Sequence, residues 1–291
     1  MGVSPRMKKL ILCADDYALS PMIDEGIRAL VIANRLSAIS CITNSPCWPE
    51  ASAKLKPLSA EIQVGLHFNL TATFETPAYP LWKLIRDCLL GLFDEKQYTC
   101  EFHRQLESFE YFWGKKPDFV DGHQHIHIFP TIRNIVIRVL AERYSHADRP
   151  WVRRVNSPLT GHDALLKALI LRILGLGFSH AVRRTNIPLS GDFYGLYSLS
   201  PNADFQSMVT GWIQTASDQA IIMCHPAIEP SDALLDSIDQ ARINEFNYLT
   251  GKDFSQFCKK ESVFFNHYED CPARLNISQM TDYESNFSCN F

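Results

Sequence analysis

Short apolar runs alternate with amphipathic stretches along most of this chain. Residues 9–14 (KLILCA), 38–43 (AISCIT), 62–70 (IQVGLHFNL), 151–155 (WVRRV), 219–224 (QAIIMC) and 262–265 have the length and branching of buried strands. Between them, helices are predicted over 22–33, 49–60, 98–113, 131–143, 163–176, 204–215, 232–250 and 253–260. Ser20-Pro21 and Pro130 stand where helices begin, and proline suits a first turn. The helix over 163–176 is strongly apolar, whereas that over 232–250 is charged and contains Arg242 and Glu245. Residues 71–97, with Pro77, Pro80, Trp82 and the apolar run 89–93, read as a long insertion with a helix, placed to cover a site. No internal repeat is visible. The alternation predicts an α/β fold, an irregular or incomplete (β/α) barrel in one domain over 7–265, with 266–291 a loosely ordered tail. An open doubly wound sheet is the alternative. The first strand lacks GxGxxG and no GxxxxGK[ST] occurs, which disfavours dinucleotides and P-loop nucleotides.

The densest chemistry lies at 116–130, KPDFVDGHQHIHIFP, which holds three of the ten histidines. As a strand, this stretch points Asp121, His123, His125 and His127 one way and Val120, Gln124, Ile126 and Ile128 the other. Gly122 permits a close approach or a bend. Imidazole is the commonest protein ligand of transition metals, and a nearby carboxylate ligates or orients. The competing reading is a polar strand face, or core histidines bonded to backbone. Because each two-residue step advances roughly 6.6–6.8 Å, His123 and His127 cannot both ligate one ion without a bend, so His127 is the reserve.

Other strand ends carry matching groups. Asp15-Asp16 ends the first strand; one of them could merely cap the next helix, but a pair is excessive for one cap. His67 lies near the end of the third strand, after Gly65, and His225 follows the strand at 219–224. One carboxylate and two imidazoles make an open site with room for water and substrate. A divalent ion there polarises a carbonyl, a second carboxylate serves as base and the last histidine as acid. Of Arg153 and Arg154, one faces an acidic centre. Trp48, Trp82 and the aromatics at 193–197, Tyr194 among them, are candidates to stack on sugar rings, with ordinary packing the alternative. Arg153 and His127 join Trp48 and Tyr194 as candidate substrate-binding residues.

Composition narrows the classes. Hydrophobic residues make up 46% and charged residues 21%, so a sizeable core is expected. A net charge of −4 offers no overall basic footprint for nucleic acid or an anionic membrane. No apolar run reaches a membrane span, and MKKLILC is read as the first strand rather than a leader. Nine scattered cysteines without a CxxC pair fit reduced thiols in a cytoplasmic protein. A homodimer is expected from base rates alone.

Four motifs in order, ADDYALS (14–20), GLHFNLT (65–71), DGHQHIHIFP (121–130) and MCHPA (223–227), resemble those of the YdjC-like carbohydrate deacetylase family, which includes chitooligosaccharide deacetylases. The resemblance runs from about residue 7 to about 260. It implies an irregular barrel like that of the NodB-type deacetylases, a divalent metal, and hydrolysis of N-acetyl groups on sugars. By motif it implies Asp15 as general base, Asp16, His67 and His123 as metal ligands, and His225 as general acid. Two imidazoles suit Zn²⁺, Co²⁺ or Mn²⁺, although family members are described with Mg²⁺ as well as Zn²⁺. Tyr17 stands where the family often has Phe. Ala18 stands where it usually has Gly, which predicts a tight turn behind the carboxylates. The acceptor sugar stays open: an amino sugar or chitooligosaccharide, or a glycolipid or hopanoid-type sugar. A metal hydrolase of another class, such as a phosphoesterase, and a non-catalytic sugar-binding protein are the competing functions.

Overall fold

The computed structural model describes residues 7–60, 62–72, 74, 79–229 and 238–265. In chain order the elements are β1 (Lys8–Tyr17), α1 (Pro21–Ile32), β2 (Ala38–Cys41), α2 (Trp48–Leu55), β3 (Gln63–Phe68), α3 (Leu81–Leu90), α4 (Glu95–Trp113), β4 (Phe119–Gly122), α5 (Ile132–Arg143), β5 (Trp151–Val152), α6 (Leu165–Leu174), α7 (Phe178–Arg183), β6 (Phe193–Tyr194), α8 (Phe205–Thr215), β7 (Ile221–Cys224), α9 (Asp239–Thr250), α10 (Lys252–Lys260) and β8 (Val263–Phe265). The tail expected at 266–291 lies outside the described residues.

The strands form one sheet in the order β5-β4-β3-β2-β1-β7-β6, with β8 beside β1. Every strand pair is parallel. Parallel strands buried on both faces should read as continuous apolar runs, and β1, β2, β3 and β7 do. The segment before β6 reaches the far edge as well. Leu189 bridges Val152, the Val152 N–H donates to Pro188 O and the Ser190 N–H donates to Val152 O. A few residues on, Phe193 and Tyr194 pair with Ile221 and Ile222. One segment thus touches both edges and curls the sheet into the expected irregular (β/α) barrel.

Helices start where the caps predict. Ser20 caps α1 by accepting from the Ile23 N–H, with Pro21 in the first turn. The expected insertion after β3 contains α3, while α4 begins at Glu95, three residues earlier than its apolar spacing suggests. Residues 73 and 75–78 of that insertion, and 230–237 before α9, lie outside the described residues. Gly65 is required by packing. A Cβ there would sit 2.4 Å from the Phe119 ring, which itself stacks on Trp151.

The expected strand over 121–127 is not formed. β4 ends at Gly122, and residues 123–128 make a tight 3₁₀ turn with Gln124 and His125 in the left-handed region, φ 53° and 61°. A Cβ on Gly122 would lie 3.0 Å from the His127 nitrogen, so this glycine lets the turn fold back on β4. The four polar residues at 121, 123, 125 and 127 therefore do not share a strand face.

Candidate active site at the strand ends

The chemistry collects at the C-terminal ends of the strands, the usual location in barrels of this kind. At the end of β1, register runs Ala14 to Ile39 and then Tyr17 to Cys41, so three steps on β1 oppose two on β2. The extra residue is a bulge with Asp16 at φ 67°. Regular alternation would send Asp15 and Asp16 to opposite faces; the bulge brings both to the same site. Ala18 follows at φ 73°, a conformation that glycine adopts without cost, and its N–H donates to Asp24 Oδ1.

Asp16, His67 and His123 converge, each offering a ligand atom within 4.8 Å of the others. His123 Nδ1 lies 2.9 Å and His67 Nε2 3.4 Å from Asp16 Oδ1. His123 reaches this point because the chain leaves the sheet right after Gly122. The other nitrogen of His67, Nδ1, lies 2.6 Å from Asp121 Oδ1, to which the Ser40 hydroxyl also donates. Asp121 therefore fixes the ring so that Nε2 faces Asp16. Burial disfavours a charged His67, but Asp121, Asp15 and Asp16 overcome it and push its pKa up to about 10. Asp16 is held well below the usual carboxylate range: burial opposes this, and Arg242, His123 and His67 more than offset it.

Beside this triad lies a second group of similar composition, Cys13, Asp15 and Asp121. Arg153 fills it. Arg153 follows β5 and is fully buried. Its two terminal nitrogens donate to Asp15 Oδ2 and Oδ1 at 2.6 Å each, and Nη2 also lies 3.0 Å from Cys13 Sγ and 2.5 Å from Asp121 Oδ2. Asp121 is pushed below its ordinary range despite burial, by Arg153 and His67.

α9 supplies a third set. Arg242 Nη2 donates to Asp16 Oδ2 at 2.6 Å, and Nη1 lies 3.4 Å from the His225 carbonyl oxygen. One turn on, Glu245 accepts the His225 main-chain N–H and, at 2.6 Å, the Tyr197 hydroxyl. His225 Nδ1 is 3.9 Å from Glu245 Oε1. His123 and His225 retain some solvent exposure above the buried carboxylates, so the site opens at these two rings.

The remaining candidates lie elsewhere. His127 is fully buried, donates from Nε2 to the Arg153 carbonyl, and stands outside the converging triad. Burial holds its pKa down at about 4, so it is a neutral ring inside the fold. His125 is buried edge-on against Phe193. Trp48 is a core side chain, stacked on Phe109 with its indole N–H donated to the Ser108 carbonyl, which leaves no free face for a sugar. Arg153 likewise has no exposed surface and holds carboxylates rather than facing solvent. Tyr194 is nearly buried, and Trp82 is exposed with Arg86 over its ring. Sequence reasoning missed the roles of Ser40, Arg242 and Glu245, and read Asp121 only as a carboxylate that ligates or orients. Asp121 stood beside the histidines, but nothing local tied α9 to β1, 226 residues away.

A family described as YdjC-like protein matches residues 9–260. A carbohydrate deacetylase of Xenopus laevis is 28% identical over 167 residues, covering 51% of this chain and 52% of that one. Against that relative the chain therefore spans about half the length. A chitooligosaccharide deacetylase of Klebsiella pneumoniae is 24% identical over 273 residues, covering 90% of this chain and 98% of that one. A crystal structure from Enterococcus faecalis, described as a candidate cellobiose-phosphate cleavage protein, shares the fold with a TM-score of 0.67 at 17% identity, covering 90% of this chain and 98% of that one.

Proposed function

This chain belongs to the YdjC-like protein family, and from that premise we propose that it is a metal-dependent carbohydrate deacetylase that hydrolyses the N-acetyl group of an amino sugar or chitooligosaccharide. The observation that carries the reading is the convergence of Asp16, His67 and His123; the buried Asp15 precedes Asp16 in the chain, and the partly exposed His225 follows the neighbouring strand β7. The donor set fits a divalent cation: one carboxylate oxygen and two imidazole nitrogens converge, and Asp121 occupies the far nitrogen of His67. Asp16, His67 and His123 would hold the ion, Zn²⁺ or Mg²⁺. Such an ion polarises the amide carbonyl and offsets the charge that develops on its oxygen.

The side chains supply the proton transfers. Asp15 takes the proton from the attacking water. Arg153 bonds both of its oxygens and fixes their direction; Oδ1 also accepts from the Cys13 thiol at 3.8 Å, so Oδ2 is the oxygen with a lone pair to spare. Water adds to the carbonyl carbon and the C–N bond then breaks. His225 gives the departing amine its proton, so acetate and a free amino sugar result. Glu245 accepts the His225 main-chain N–H and lies 3.9 Å from Nδ1, so it helps fix where the ring stands. Tyr194, at the end of β6, is the aromatic proposed to contact the sugar.

Acetate release from N,N′-diacetylchitobiose tests the reading. Release that chelation abolishes and a divalent ion restores is expected. Phosphate release from simple esters with no acetate, or tight sugar binding with neither product, contradicts it.

A further inference from the structure

α6 and the segment after it have a property that the catalytic reading leaves unused. Ala168, Leu171 and Leu174 face the protein core. The opposite side is also apolar: Leu165, Leu166, Leu169, Ile170 and Ile173 are all exposed, Leu166 by 71% and Ile173 by 63%. They recur at 165/166, 169/170 and 173, a spacing of four, so they form one continuous stripe along the helix. Leu176, 69% exposed, extends it past the helix end. A helix that is apolar all round normally has apolar surroundings all round. This one has them on one side only among the described residues.

Charge identifies the missing surroundings. Residues 164–184 contain no Asp or Glu, yet they carry Lys167, Arg172, Arg183 and Arg184 in a chain whose total is −4. Lys167 turns inward and donates to the Tyr197 and Ser198 carbonyls. Arg172, Arg183 and Arg184 are exposed and form no ion pair among the described residues. Exposed aliphatic rows flanked by arginine alone are the composition of helices that lie in the headgroup layer of a bilayer. A second copy of this chain meeting the stripe about a two-fold axis would bring these same arginines together.

We propose that the α6–α7 face docks on a bilayer surface carrying anionic lipid headgroups. α6 lies on that surface rather than crossing it, and no helix among the described residues is long and apolar enough to span. The docked segment rests on the turn that carries His123. Phe178 packs edge-on against His127 with ring centroids 5.7 Å apart, and a Cβ at Gly175 would lie 3.3 Å from Ile128 Cδ1. Docking therefore brings the turn bearing His123 close to the lipid surface.

The test is sedimentation of the full chain with phosphatidylcholine vesicles, with and without phosphatidylglycerol. The wild-type protein is expected to sediment with the phosphatidylglycerol vesicles and to be released by salt. The doubly substituted Ile170→Asp, Ile173→Asp protein is expected to bind at least about tenfold more weakly at an unchanged Tm, because both side chains already face solvent. Arg172→Glu with Arg183→Glu is expected to remove the preference for the anionic lipid. No sedimentation of the wild type at low ionic strength overturns the proposal, as do variants that bind like the wild type. A vesicle-free dimer that Ile170→Asp, Ile173→Asp converts to a monomer by light scattering also overturns it, since the stripe is then a contact between copies.

Discussion

Two groups of metal-capable side chains lie side by side at the end of β1, and only one is open. Asp16, His67 and His123 converge with no lysine or arginine among them, and Arg242 approaches only the far oxygen of Asp16. Cys13, Asp15 and Asp121 also converge, but the Arg153 guanidinium sits in their midst and contacts all three. Asp121 belongs to both, with one oxygen on His67 and the other on Arg153. Donor type and spacing therefore do not decide which group takes an ion. What decides is whether the fold has already supplied a positive charge. Imidazoles leave the first group to an added cation, while two buried carboxylates require a built-in one.

The largest expected effect comes from removing the acid or base while leaving the open group standing. Asp15→Asn and His225→Ala should each lower kcat/KM by roughly 10²–10⁴-fold with metal content unchanged. Steady-state kinetics with metal analysis reads this; near-full activity in His225→Ala takes that residue out of the reaction. Next is the closed group. Arg153→Met leaves Asp15 and Asp121 buried without their counter-charge and should cost about 3–5 kcal/mol in denaturant unfolding. A variant as stable as wild type would mean that the guanidinium does not hold this group together.

Asp121→Asn probes the shared residue. The fold should survive, but the ring of His67 loses its charged partner, and metal affinity should fall roughly 10–100-fold by competition with a chelating dye. The smallest effect needs no substitution. In chelated protein His67 carries its proton up to about pH 10, above its ordinary value of 6.5. The folded state then binds more protons than the unfolded one between these values. Its contribution is complete below about pH 6.5 and is lost as pH rises toward 10, so Tm should fall over this window. Tm that is flat or rising over this window contradicts the charged His67.

Much of this was legible in the chain because strand ends are. Apolar runs located β1, β2, β3 and β7, and the polar residues at or just after the ends of β1, β3 and β7 marked the end of the sheet where the candidate site lies. Asp15, Asp16, His67 and His225 were found that way. His123 was found on the wrong premise, a strand through 127. The left-handed pair at 124 and 125 leaves no mark in residue type, since neither is Gly or Asn. The bulge at Asp16 was equally silent: alternation alone would have separated the two carboxylates. Arg242 and Glu245 sat in a helix recognised as charged, but their contacts depend on how α9 docks beside β1 and β7. A chain-wide net charge of −4 concealed the basic, apolar stretch at 164–184, because the average mixes it with acidic segments elsewhere.

The central claim is that the open group takes a divalent ion and the closed one does not. Elemental analysis of protein purified without chelator, compared across wild type, His123→Ala and Cys13→Ala, tests it most directly. The account predicts about one equivalent of divalent metal in wild type and Cys13→Ala, and almost none in His123→Ala. Metal retained in His123→Ala, or lost in Cys13→Ala alone, would contradict it.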